Sequence, residues 1–124
     1  MLSLAPMSNK SEIAEIFSQK GITYNNFCGC VTALCGDELL GLCLYELDTE
    51  KMTVLYIEPL SDIFLADGIL RSTLHVAAER GVMNAFYGSS MDEDFLSKIG
   101  FIKEKDEKRL DIDKLFQSCC GCGN

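Results

Sequence analysis

A chain of 124 residues, 48% of them apolar, has material for one core and one domain. Nineteen Asp plus Glu against eleven Lys plus Arg give a net charge of -8 and a pI near 4.5. That balance opposes the counterion release that drives nucleic-acid binding, and it lacks the clustered basic residues that attachment to anionic membrane requires. The opening MLSLAPMSNK has no basic segment followed by a long apolar run, and no stretch approaches the roughly eighteen apolar residues of a membrane span. Seven cysteines, an odd number that includes adjacent Cys119 and Cys120, suit reduced thiols in a cytoplasmic protein better than a secreted disulfide framework.

The first pattern is Asn9 with Glu12 three positions on, a capping-box arrangement before Ile13, Ile16 and Phe17 on one helical face, with Gly21 as the stop. From Phe27 to Tyr45 two β-rich runs, FCGCVTALC and ELLGLCLYEL, hinge at Gly36-Asp37 and predict a hairpin. A third run, MTVLYIE, stops at Pro59 and completes three antiparallel strands. Ile63, Ala66, Leu70, Leu74 and Ala77 then recur at the spacing of one helix face, which Gly81 closes. Arg71, His75 and Glu79 fall on the opposite face, so the single histidine is assigned no role. VMNAFYG has strand composition, and Ser90 with Glu93 predicts a cap on the short helix MDEDFLSKI, ended by Gly100. Phe101 and Ile102 begin a further strand, KEKDEKR forms its solvated turn, and LDID returns antiparallel. The fold class is α/β, in the α+β sense: a mixed, mainly antiparallel sheet flanked by helices. Residues 1–115 form the domain and residues 116–124 a cysteine-rich tail.

This order of elements, together with three motifs, resembles the GNAT superfamily of N-acetyltransferases over roughly residues 8–115. Phe95-Leu96-Ser97-Lys98-Ile99-Gly100-Phe101 is similar to the family's Phe-Tyr-x-Lys-Leu-Gly-Phe, and Ile57-Glu58-Pro59 is similar to its Val-x-Pro at the end of the fourth strand. GILRSTLHVAAERG is similar to the helix that begins at the cofactor loop. The resemblance implies acetyl-CoA as cofactor and a small-molecule or protein amine as acceptor. It places Ile57, Gly68 and Ile69 on the cofactor side.

In such folds a glycine-bearing loop wraps the coenzyme A pyrophosphate with backbone N–H groups at the start of the long helix. Of the family's pattern (Arg or Gln, two residues, Gly, one residue, Gly or Ala), Leu65-Ala66-Asp67-Gly68-Ile69-Leu70 retains Gly68 alone. Asp62 and Asp67 add negative charge near a pyrophosphate. The alternative is that the helix starts early, at Ile63, and no phosphate cradle exists. Many family members use a tyrosine as general acid toward the departing thiolate, and the matching position here is Leu96, which has no proton to give. Glu58 is the nearest candidate base, and that role requires burial to raise its pKa. Transfer by positioning alone remains open.

With Gly36 and Asp37 as the two loop residues, the hairpin places Cys30 opposite Cys43 and Cys28 on the same face, a pairing that one residue of register change undoes. The bland reading of these strand cysteines is small buried hydrophobes. Cys119, Cys120 and Cys122 sit among Ser, Gly and Asn at the chain end, where thiols can supply three soft ligands to a metal ion, with a fourth from a strand cysteine or a second subunit. Two further readings thus stand beside the acyltransferase: a non-enzymatic thiol or metal-binding protein, and an interaction module whose sheet edge forms a homodimer.

Overall fold

The computed structural model describes residues 2–116. Its elements in chain order are β1 (Leu2–Pro6), α1 (Lys10–Gln19), β2 (Cys28–Cys35), β3 (Glu38–Leu47), β4 (Met52–Glu58), α2 (Ile63–Glu79), β5 (Ala85–Tyr87), α3 (Glu93–Lys98), β6 (Ile102–Glu104) and β7 (Arg109–Leu110). The strands form one sheet in the order β1-β2-β3-β4-β5-β7-β6. Every neighbouring pair is antiparallel except β4 and β5, which run parallel because α2 carries the chain back between them.

Alternation along the strands feeds two cores. Val31, Cys43, Tyr45, Val54 and Ile57 belong to the larger one, with Ala66, Ile69, Leu70, Leu74 and Ala77 of α2. Cys30, Leu42 and Leu44 point the other way and meet Ile13 and Phe17 of α1. The helix faces expected from spacing are therefore the faces that pack. The α1 cap also forms as expected, Asn9 Oδ1 accepting from the Glu12 N–H.

Three local expectations are corrected. The chain begins with a strand, β1, which pairs with β2 at the sheet edge and is exposed at four of its five residues, so no alternation marks it. Asp92, not Ser90, caps α3, its side chain accepting from the Phe95 N–H. The hairpin turn at Gly36-Asp37 is correct, with Gly36 at φ 63°, but the β2–β3 register shifts between Ala33 and Leu34. Cys43 consequently faces Val31 and Cys30 faces Leu44, which sends the two thiols to opposite sides of the sheet.

Candidate functional site

The parallel pairing of β4 with β5 lasts only from Met52 to Val54. The Gly88 N–H then donates to the Val54 carbonyl, β5 has already ended at Tyr87, and β4 continues to Glu58 paired with β3 only. A bulge at this same place moves the β3–β4 register between Leu44 and Tyr45, so that Leu55 has no opposite number. Among the described residues no strand covers the outer edge of Leu55–Glu58, although the Ser90 hydroxyl reaches the Leu55 carbonyl at 3.3 Å. An unpaired strand edge presents N–H and C=O groups to whatever enters.

Beyond this edge, Leu60 and Ile63 at the entry to α2 and Asp92, Asp94, Phe95 and Lys98 of the α3 segment line a groove of about 170 Å³. Asp92 and Asp94 also border a wider hollow of about 380 Å³ with Tyr87, Glu93 and Lys108. There the Tyr87 hydroxyl donates to Glu93 at 2.6 Å, and burial together with that carboxylate pushes the phenol up to about 12. Gly41 lets these parts close together: a Cβ on it would lie 2.6 Å from the Glu58 carbonyl and 2.8 Å from both Pro59 Cδ and Ile69 Cδ1.

Glu58 faces the α1 side, opposite Leu42 in the β3–β4 register. Its carboxylate takes an ion pair from Lys20 Nζ at 2.7 Å and a hydrogen bond from the Tyr56 hydroxyl. The Lys20 ammonium also lies over the Tyr56 ring, 5.4 Å from its centroid. The bond from Lys20, then that from Tyr56, holds the Glu58 carboxyl below the usual carboxylate range, and the same bond holds Lys20 above the usual lysine range. Burial does not win at Glu58, whose pKa is lowered where the role of a base would require it raised.

The other expected site residues lie as follows. Ile57 is buried beside Cys43 on the α2 face of the open half of β4. Gly68 sits in the second turn of α2, where a Cβ would meet Leu4 Cδ1 at 3.6 Å, and Ile69 is fully buried beneath it. The helix begins at Ile63, as the alternative reading had it, so the amides at its open end are those of Ile63 and Phe64; Asp62 Oδ1 already accepts from Leu65. Leu96 is fully buried in the core. Burial pushes the Cys30 and Cys43 thiols up to about 12, which keeps them protonated. Cys119, Cys120 and Cys122 lie outside the described residues, among which no group of three or more His, Cys, Asp or Glu could hold a metal ion.

The fit to acetyl-CoA divides along the groove. The bared edge of β4 and the apolar Leu60, Ile63 and Phe95 suit an extended amide-bearing arm such as pantetheine. The outer end offers the first amides of α2 and one cation, Lys98, against the carboxylates of Asp62, Asp92 and Asp94. The edge and its apolar neighbours match such an arm in chemistry, whereas a diphosphate would meet weak support.

Sequence reasoning missed Lys20 and Tyr56. Tyr56 was legible in principle, since residues two apart on a strand share a face. Lys20 was not, because only the packing of α1 brings it to the end of β4.

No protein-family model matches the chain, and no curated protein matches its sequence. Solved structures do resemble it. A GNAT-family acetyltransferase from Elizabethkingia anophelis with acetyl-CoA bound superposes with a TM-score of 0.55 at 14% identity, over 79% of this chain and 73% of that one. A GNAT-family acetyltransferase from Streptococcus pneumoniae gives 0.55 at 16%, over 82% and 87%. A mutant of the toxin AtaT, bound to the C-terminus of the antitoxin AtaR, gives 0.62 at 10%, over 96% and 97%. Identities this low speak to architecture, and with the helix order, the parallel β4–β5 pair and its early end they show that this chain has the GNAT acetyltransferase fold.

Proposed function

We propose that this protein is an N-acyltransferase that takes an acyl group from a coenzyme A thioester and passes it to a primary amine. The observation that carries the reading is the open half of β4: among the described residues Leu55–Glu58 has only β3 as a partner strand, and the starts of α2 and α3 line the adjoining groove. Leu55, Tyr56 and Ile57 offer main-chain groups to the arm of the donor, and Leu60, Ile63 and Phe95 cover its apolar parts. Ile63 and Phe64 direct the positive end of α2 toward the diphosphate, while Gly68 and Ile69 seat that helix on β1 and the sheet. Acetyl-CoA would supply an activated acyl carbon and a thiolate leaving group.

Glu58 lies on the acceptor side, where an ionised carboxylate holds an incoming ammonium group. That group must lose its proton to water before the neutral amine attacks the acyl carbon and the coenzyme A thiolate leaves. Leu96 offers no proton for the leaving thiolate, so the rate rests chiefly on holding amine and thioester together. The AtaT structure, in which a toxin of this fold is bound to the C-terminus of an antitoxin, supports a protein partner beside a small-molecule one.

Calorimetric titration with acetyl-CoA and with free coenzyme A tests the reading. Weak but saturable binding, in the range above about 1 μM, is expected from an arm site with a poorly supported diphosphate. No heat of binding at millimolar donor would overturn the proposal, and submicromolar affinity would show that the acidic mouth has been misjudged.

A further inference from the structure

We propose that Glu58 and Tyr56 form a subsite for a primary alkylammonium group, and that Lys20 occupies it in the free protein as an internal competitor of the acceptor amine. This deepens the function proposed above by naming the regulation of its acceptor side.

Two features that recognise an ammonium converge on one point. The Glu58 carboxylate accepts from Lys20 Nζ at 2.7 Å, and the Tyr56 ring lies beneath the same nitrogen at 5.4 Å. Tyr56 also donates its hydroxyl proton to Glu58, which fixes the carboxylate over the strand. Both residues stand on the half of β4 whose outer edge no strand covers among the described residues, and the lining of the groove begins two residues after Glu58, at Leu60.

Lys20 comes to this point from elsewhere in the chain. It is the residue that ends α1, and Gly21, at φ 71°, turns the backbone away directly after it. Its long side chain therefore hangs from a helix end. The side chains of Lys20 and Glu58 remain 27% and 35% exposed, so an external amine can reach the carboxylate as Lys20 leaves.

Lys20 is a plug because its side chain, tied to the end of α1, places an ammonium on Glu58 and over Tyr56 where an incoming amine would sit. An internal group on a short tether acts at an effective concentration of the order of millimolar. A dilute amine cannot displace it, whereas a lysine side chain presented by a docked partner, or a concentrated alkylamine, can. The hydrogen bond to Glu58 also demands an N–H donor, which favours a primary ammonium over a quaternary one of similar size.

The experiment needs no donor. NMR titrations of wild type, Lys20→Met and the double variant Lys20→Met/Glu58→Gln use n-butylamine, a copy of the lysine side chain, and butyltrimethylammonium as its quaternary counterpart. Lys20→Met should bind n-butylamine at least about fivefold more tightly than wild type, with shifts at Tyr56 and Glu58 and a preference over the quaternary amine. Adding Glu58→Gln should remove that gain, and Lys20→Arg, which keeps a cation in place, should bind as weakly as wild type. Should the methionine variant not fold, Lys20→Gln repeats the comparison. Equal affinities in wild type and the Lys20 variant, or a gain that survives Glu58→Gln, would overturn the proposal. Amine binding by Lys20→Met in a protein that ignores acetyl-CoA would leave the subsite standing and remove only the donor reading; the reverse result would do the opposite.

Discussion

Met52–Val54 and Leu55–Glu58 belong to one strand, yet the first half has a partner strand on each side and the second on one only. The residue types hardly differ: MTV and LYIE are both rich in β-formers. What separates the halves is their neighbours, since β5 is three residues long and the bulge at Leu55 turns β4 where β5 stops. The doubly paired half buries Met52 and Val54 completely, whereas Leu55, Tyr56 and Glu58 remain partly exposed. An open strand edge has thus been made by ending a partner early, with no unusual residue in the strand itself.

If the first half serves stability, the largest effect belongs there. Met52→Ala removes a fully buried side chain and should cost about 2–5 kcal/mol in chemical denaturation. Gly41→Ala comes next, because its methyl would press on the Glu58 carbonyl and on Pro59, at about 1–3 kcal/mol. It should also shift the amide resonances of the open half, which Met52→Ala reaches only through the core. Equal disturbance of Leu55–Glu58 by the two variants would blur the division between the halves.

Asp62→Ala separates stability from binding by moving them in opposite directions. Loss of the cap on α2 should lower stability by about 1 kcal/mol. Removal of a negative charge from the mouth of the groove should strengthen acetyl-CoA binding in low salt, and less so in high salt. A variant weakened in both respects would mean that the carboxylate supports the donor and does not oppose it.

The smallest effect concerns pH. Lys20 and Tyr56 favour the charged form of Glu58, so the stability it contributes is present above the ordinary carboxylate range and is lost as pH falls through its lowered pKa. Lys20 is shifted upward chiefly by the same bond to Glu58, so at the alkaline end that stability is lost as pH rises through its raised pKa. The pair is about one-third exposed, and such pairs contribute no more than about 1 kcal/mol. The melting temperatures of wild type and Glu58→Gln should therefore differ slightly and constantly from about pH 6 to 8, and converge in acid below about pH 4. A difference that grows in acid would contradict the ion-pair geometry.

The legible parts of the molecule were those set by local pattern. The three-strand meander, the inward face of α2 and the cap at Asn9 all follow from periodicity or a short spacing. β1 escaped because an edge strand exposed on both faces has no alternation, and its pairing with β2 joins residues far apart in the chain. The displacement of Cys30 from Cys43 arises from a bulge that a simple count across the turn does not contain. In the site, Glu58 could be found from its place before Pro59, but its electrostatics could not, because they depend on Lys20 arriving from α1. The position of Gly68 was left between loop and helix by sequence; the Asp62 cap decides it by starting α2 at Ile63.

The open half of β4 as the seat of the acyl donor is tested most directly by following backbone amide resonances during titration with acetyl-CoA. The largest shifts should fall on Leu55, Tyr56, Ile57 and Glu58, with Ile63 and Phe64 at the start of α2 moving next, while Met52–Val54 stay nearly still. Shifts confined to another face of the sheet, or none at millimolar acetyl-CoA, would show that the early end of β5 opens the strand for something other than a thioester.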